Sequence, residues 1–86
     1  MHVTVISPDA SIFDGDADSV VAPAYDGQVG ILANHAPFVT LLGRGPLRIH
    51  TKTGTRRYTV SGGFLQAIKN TVRIVTEQVQ GGSNAA

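Results

Sequence analysis

Three histidines, His2, His35 and His50, are the side chains in this sequence best suited to hold a metal ion or move a proton. A zinc site brings its ligands in close pairs, usually with cysteine thiolates among them. These histidines stand far apart, have no ligand-type neighbour two or four residues away, and the chain has 0 Cys. They read as two strand or terminal histidines and one turn histidine, and no metal is expected. Ser61, His35 and Asp26 match a nucleophile, a base and an orienting acid in kind. Ser61 lies outside any G-x-S-x-G elbow, however, so nothing aims its hydroxyl. Asp14, Asp16 and Asp18 alternate like calcium-loop acids, but Ser19 and Tyr25 stand where the loop needs Gly and a bidentate Glu. Gly27-Gln28-Val29-Gly30 lacks the Gly-Lys-Ser/Thr of a phosphate loop and is followed by no helix. Ser61-Gly62-Gly63 could form a backbone nest, and turn geometry explains it equally well. The residues thus yield no catalytic group, no metal and no cofactor, and the chain is not expected to be an enzyme.

The elements around these residues follow a period of two, broken at short intervals by Gly, Pro, Asn and Asp, which favours an all-β sandwich or barrel. Strands are expected at Val3 and Val5, at Ser11 to Phe13, and at Ser19 to Val21, with Asp14-Gly15 as a tight turn and Pro23 as a stop. A turn at Asp26-Gly27 leads into Val29 to Leu32, and a corner at Asn34 to Pro37 leads into Phe38 to Leu42, which Gly43 to Pro46 ends. Leu47 and Ile49 alternate with Arg48 and His50 before a hairpin loop at Lys52 to Thr55, and Tyr58 and Val60 follow. Ser61-Gly62-Gly63 is a further break, and the strands Phe64 to Ile68 and Thr71 to Glu77 are joined by Lys69-Asn70. About nine or ten strands result. Val3, Val5, Phe13, Val20, Ile31, Leu47, Ile49, Val60, Leu65, Val72 and Ile74 are the expected core. Residues 1–80 form one domain, and residues 81–86, Gly81-Gly82-Ser83-Asn84-Ala85-Ala86, form a flexible polar tail with nothing large enough to pack.

Composition limits the function classes. A net charge of +1 from 7 Lys and Arg against 6 Asp and Glu, with only Arg56 and Arg57 adjacent, gives no basic stripe for nucleic acid. No apolar run approaches the ~20 residues of a membrane span. Without cysteines a small domain depends on its core or on partners for stability.

Three stretches together resemble the epsilon subunits of F-type ATP synthases. They are Ser11-Ile12-Phe13-Asp14-Gly15, then Asp26-Gly27-Gln28-Val29-Gly30-Ile31-Leu32-Ala33-Asn34-His35-Ala36-Pro37, then Val60-Ser61-Gly62-Gly63-Phe64-Leu65. The middle stretch is the most specific, resembling the family's acidic-Gly-Glu-hydrophobic-Gly-Ile and His-Ala-Pro signature at matching spacing. The resemblance spans about residues 2 to 80 and implies a flattened β-sandwich of two mainly antiparallel sheets. It implies a non-catalytic central-stalk rotor subunit that fastens gamma to the c-ring of a proton- or sodium-translocating synthase. Gamma and the c-ring would be its partners, with membrane association only through the complex and no dedicated homo-oligomer. Its place would be peripheral, on the cytoplasmic face of a bacterial inner membrane or the matrix or stromal face of an organelle.

The resemblance further implies that Tyr25, Asp26, Gly27, Gln28 and Val29 face the c-ring, and that His35, Ala36, Pro37, Phe38, Val39 and Thr40 face gamma. Taken alone, Gly27 and Gly30 are turn makers, Pro37 a strand start and Phe38 core. Two features depart from the family pattern. Gln28 stands where many members carry an acid, leaving Asp26 as the loop's only charge, and nothing helical follows Gln80 where members usually continue into an inhibitory helical hairpin. A free-standing sandwich that binds a peptide or carbohydrate is the alternative. It would need an exposed aromatic platform, and the chain offers 0 Trp, Tyr25 and Tyr58.

Overall fold

A computed structural model describes residues 1–33 and 36–85, the side chains of 82–85 excepted. Eight strands are present: β1 His2–Ile6, β2 Ser11–Asp16, β3 Ser19–Ala24, β4 Gly27–Leu32, β5 Phe38–Leu41, β6 Arg44–Thr51, β7 Gly54–Ile68 and β8 Thr71–Ala85. No helix occurs among the described residues, so none is long and apolar enough to cross a membrane.

The hydrogen-bonded path runs β2-β1-β8-β7-β6-β3-β4, and β5 joins β7 beside it. All pairs are antiparallel except β1 with β8. β7 holds different neighbours along its length: Arg44 to Thr51 pair with Gly54 to Ser61, whereas Phe38 to Leu41 pair with Phe64 to Ala67. β8 follows β7 throughout, but β1 takes only its first part, Thr71 to Val75. The long β7–β8 hairpin therefore belongs to two layers. One contains β2, β1, the first part of β8, the end of β7, and β5. The other contains the rest of β8 and β7 with β6, β3 and β4. Principal extents of 28 × 27 × 22 Å exclude a single flat sheet, which would be about 10 Å thick.

Two positive-φ glycines make the fold-over possible. Gly62 has φ 73° and Gly63 φ 104°, conformations that L-residues with side chains rarely adopt. A Cβ on Gly63 would lie 1.9 Å from the Val75 carbonyl oxygen and 2.8 Å from Thr76 Cα. Opposite Gly63, Thr76, the one buried polar residue among the described residues, donates its hydroxyl to the Gln78 carbonyl at 2.9 Å.

The two layers close on one apolar cluster. Val3, Val5, Leu65, Ala67, Val72 and Ile74 come from the first layer, and Val20, Ala22, Ile31, Leu47, Ile49, Tyr58 and Val60 from the second. Ten of the eleven expected core residues are fully buried, and Phe13 is half-buried against the cluster with the Arg56 guanidinium 6.0 Å from its ring centre.

The strand count of eight is close to the expected nine or ten, the difference arising because Ser61-Gly62-Gly63 bends one continuous 15-residue strand and does not end it. Several local expectations are corrected. Asp14-Gly15 lie inside β2, paired with Thr4 and Val3, so β2 forms its hairpin with β1 and not with β3. Pro23 lies within β3, beyond the Val21–Arg48 pair where the β3–β6 ladder stops, so its missing N–H leaves no ladder bond broken. β6 begins at Arg44, inside the segment read as a breaker. The turns at Lys52-Thr53 and Lys69-Asn70 are as expected, the latter with φ 48° and 61° at its two residues. Over the expected tail, the β8 backbone continues, with Gly81 opposite Tyr58 and Ala85 opposite Thr55.

Candidate functional site

Tyr25 and Asp26 are the two-residue connection between β3 and β4, with Ala24 and Gly27 paired at its base. Neither connecting residue has positive φ; the unusual backbone falls on Gly27, at φ 138°. That placement explains why a glycine follows the turn. Tyr25 is 72% exposed, Asp26 and Gln28 are also exposed, and Val29 turns inward against the core.

The second expected segment arrives from the other end of the molecule. β4 rises away from the Tyr25-Asp26 turn, and β5 descends along β7. Ala36 and Pro37 are exposed. His35 lies outside the described residues, so the Ser61, His35, Asp26 triple has no described base. Phe38 packs against the core, Val39 is 64% exposed, and Thr40 is half-buried with its hydroxyl donating to the Leu41 carbonyl at 3.4 Å.

The two segments meet at one corner. The Tyr25 amide donates to the Leu41 carbonyl at 3.2 Å, and Ala24 bridges Leu42. The Gly43 amide donates to the Pro23 carbonyl at 2.9 Å, and the Leu42 amide to the Gly63 carbonyl at 3.0 Å. The turn, the end of β5 and the β7 bend are thus tied to one another through backbone groups.

Around that corner lie apolar side chains that sequence reading missed. Leu41 is 63% exposed there, beside Tyr25 and Val39, whereas Leu32, 68% exposed, lies at the far end of β4 opposite Ser19. Leu41 faces Phe64, Phe64 faces Val75, and Val75 faces Ile6 across successive strands, an outward apolar row on the first layer. Phe38 to Leu42 is nearly continuous in apolar character, so period two could not show which residues point out. The register supplies that information.

No other described cluster offers chemistry. His2 Nε2 is 2.7 Å from Asp14 Oδ1 and its Nδ1 3.8 Å from Asp16, an exposed ion pair when the imidazole is protonated. His50 Nδ1 lies 3.1 Å from the Thr55 hydroxyl. Among the described residues no three metal-type ligands come together. An open cleft of about 750 Å³, lined by Met1, Asp16, Lys52 and Lys69 among others, lies at the end remote from the corner and mixes both charges.

Known proteins with this pattern can now be compared. The family described as the ATP synthase delta/epsilon chain, β-sandwich domain, matches residues 1–82. An ATP synthase epsilon chain of Leptospira borgpetersenii is 43% identical over 77 residues, covering 90% of this chain and 61% of that protein. One of Syntrophomonas wolfei is 39% identical over 80 residues, covering 92% of this chain and 58% of its own length. This chain therefore spans about three fifths of those relatives. A shorter epsilon chain, from Caulobacter vibrioides, is 34% identical with 90% of each chain covered. Among solved structures, a chain of the Euglena gracilis mitochondrial ATP synthase shares the fold at TM-score 0.85 and 24% identity, over 92% of this chain and 51% of that one.

Proposed function

This chain belongs to the delta/epsilon-chain β-sandwich family of ATP synthase, and from that membership we propose that it is a non-catalytic rotor part that fastens gamma to the c-ring. In this reading Tyr25, Asp26, Gly27, Gln28 and Val29 rest on the c-ring, and Ala36 to Thr40, with His35, face gamma. The chain would be peripheral to the membrane on the side where the catalytic head stands, and held there by its partners alone.

One observation carries the proposal. Six large apolar side chains are conspicuously exposed among the described residues, and four of them, Tyr25, Leu32, Val39 and Leu41, fall within 25–41. That short segment contains both expected contact surfaces. Three of the four, Tyr25, Val39 and Leu41, stand in water at one corner of a small sandwich, which favours burial against a partner. The loop contact is mainly neutral, because Gln28 offers only hydrogen bonds and Asp26 the single charge.

The sandwich is proposed to couple and not to inhibit, since no element of residues 1–80 can extend toward a catalytic head. The test strips this chain from the soluble catalytic complex and adds it back while ATP hydrolysis is followed, with ATP-driven pumping measured in membrane vesicles. Coupled pumping should require the chain while soluble hydrolysis barely changes. Strong suppression of hydrolysis on add-back would refute the reading. A peptide- or carbohydrate-binding sandwich is less well supported, because Tyr58 is buried and Tyr25 alone makes no aromatic platform.

A further inference from the structure

The charges that look scattered along the sequence are segregated in the fold. All 7 Lys and Arg lie between Asp26 and Glu77, and none of the 6 acids does. Four acids, Asp9, Asp14, Asp16 and Asp18, sit on or beside β2, whereas five cations belong to the β6–β7 hairpin of the other layer.

On that hairpin Arg48 and Arg57 are direct cross-strand partners. Leu47, Ile49 and Tyr58 are buried beside them, so period-two alternation turns both arginines to the outer face, Arg48 half-buried and Arg57 exposed. Like charges directly opposite one another in a sheet are destabilising. Among the described residues no carboxylate relieves this pair, for none makes an ion pair with a Lys or Arg. Arg44 extends the same face toward the corner, and half-buried Val21 lies opposite Arg48 on β3. Arg56, by contrast, is turned toward Phe13.

We propose that the outer face of β6 and β7, centred on Arg48 and Arg57, docks a carboxylate-bearing segment of a protein partner. In the rotor reading, on which only the partner's identity rests, that partner is gamma. The chemistry favours protein over lipid. The face is built from arginines, whose planar forks match carboxylates and which are enriched at protein interfaces where lysine is depleted. Anionic membranes are held by clusters of about four to eight cations, more than this face presents. Half-buried Val21 and exposed Pro46 beside the arginines give a partner something to pack on.

The experiment rebinds the full chain to the soluble catalytic complex stripped of it, at about 50 and 300 mM salt. The R48E/R57E variant is compared with K52E/K69E, which changes net charge equally in the turns at the remote end. Reversal at Arg48 and Arg57 should weaken binding roughly tenfold or more and flatten its salt dependence, while K52E/K69E stays within about twofold. R48K/R57K, keeping charge without the fork, should fall between. Circular dichroism checks each fold, and R48A/R57A replaces the reversal should that variant unfold. Equal losses for both reversals, or no loss for either, would overturn the proposal while leaving the rotor reading intact. A wild-type chain that does not bind the stripped complex would overturn both. Arginine-dependent binding to phosphatidylcholine vesicles with phosphatidylserine, or arginine-dependent self-association at low salt, would also overturn it by naming a lipid or a second copy as occupant.

Discussion

Replacing Gly63 with Ala tests whether the fold-over of the β7–β8 hairpin holds the two layers together. The added Cβ would meet the Val75 carbonyl oxygen at 1.9 Å and Val75 C and Thr76 Cα at 2.8 Å, all backbone atoms that cannot rotate away. To reach even a tight 3.0 Å contact, the strands must part by about 1 Å. Holding Ala at the φ of Gly63 costs about 1–3 kcal/mol in strain. Parting the strands also endangers the Leu42 amide bond to the Gly63 carbonyl, 3.0 Å long, and an unsatisfied buried group costs about 1–3 kcal/mol more. A total of roughly 2–6 kcal/mol compares with about 4–13 kcal/mol for a domain of 86 residues. Urea unfolding followed by far-ultraviolet circular dichroism should show Gly63→Ala unfolded in buffer or with its midpoint lowered by several molar, since a small domain's urea slope is about 1 kcal/mol/M. Gly30→Ala is the control, with nothing within 4 Å of its Cβ and no positive φ, and should lie within about 1 kcal/mol of wild type. Gly62→Ala should fall between them, because its Cβ meets the movable Glu77 carboxylate at 2.9 Å. Equal midpoints for Gly63→Ala and Gly30→Ala would refute the argument.

Leu65→Ala or Ile74→Ala should destabilise the chain by about 2–5 kcal/mol in the same urea assay, since both side chains are 0% exposed. A Val39→Ser, Leu41→Ser double variant should leave the unfolding midpoint almost unchanged and weaken rebinding to the stripped complex, with equal rebinding counting against the corner as a contact surface. Gln28→Ala should reduce ATP-driven pumping little and with little salt dependence, whereas Gly27→Val, forced to φ 138°, should reduce it more; the reverse order would contradict a contact made by the turn's backbone. Deleting residues 81–86 should cost less than about 1 kcal/mol, and amide exchange over 81–85 should be fast, because Gly, Ser, Asn and Ala have little apolar surface to bury.

The residues that face inward were legible from the sequence because burial imposes a period of two on them: Val3 with Val5, Leu47 with Ile49, and Val72 with Ile74 all alternate with polar neighbours. The turn expected at Asp26-Gly27 was legible to within one residue, the structure placing it at Tyr25-Asp26 with the glycine as the first residue of β4. What sequence could not supply was long range. Asp14-Gly15 has the composition of a turn, yet the pairing with Thr4 and Val3 overrides it. Gly62-Gly63 signals a backbone that departs from the ordinary, but whether the chain stops or bends there depends on Val75 and Thr76, which lie opposite. The exposed row Leu41, Phe64, Val75 and Ile6 draws one residue from each of four strands, and no window along the chain contains it. The block of cations between Asp26 and Glu77 is visible along the chain, but the pairing of Arg48 with Arg57 on one outer face is set only by the β6–β7 register.

The corner also suggests why so little side-chain chemistry is needed for a fastening role. A part that holds two turning partners together must resist shear, and side chains on a flexible loop resist it poorly. Here the turn proposed to face the c-ring is two residues long and anchored at its first residue, where the Tyr25 amide meets Leu41. Leu41 ends the strand that carries Val39 outward, and the next residue, Leu42, is bonded to the bend at Gly63. Displacing the turn against β5 therefore means breaking backbone bonds that the bend and the core behind it hold in register. Two contact surfaces joined in this way can transmit load between partners through the sheet itself. It follows that side-chain changes such as Gln28→Ala should be tolerated where changes to the backbone path, at Gly27 or Gly63, are not.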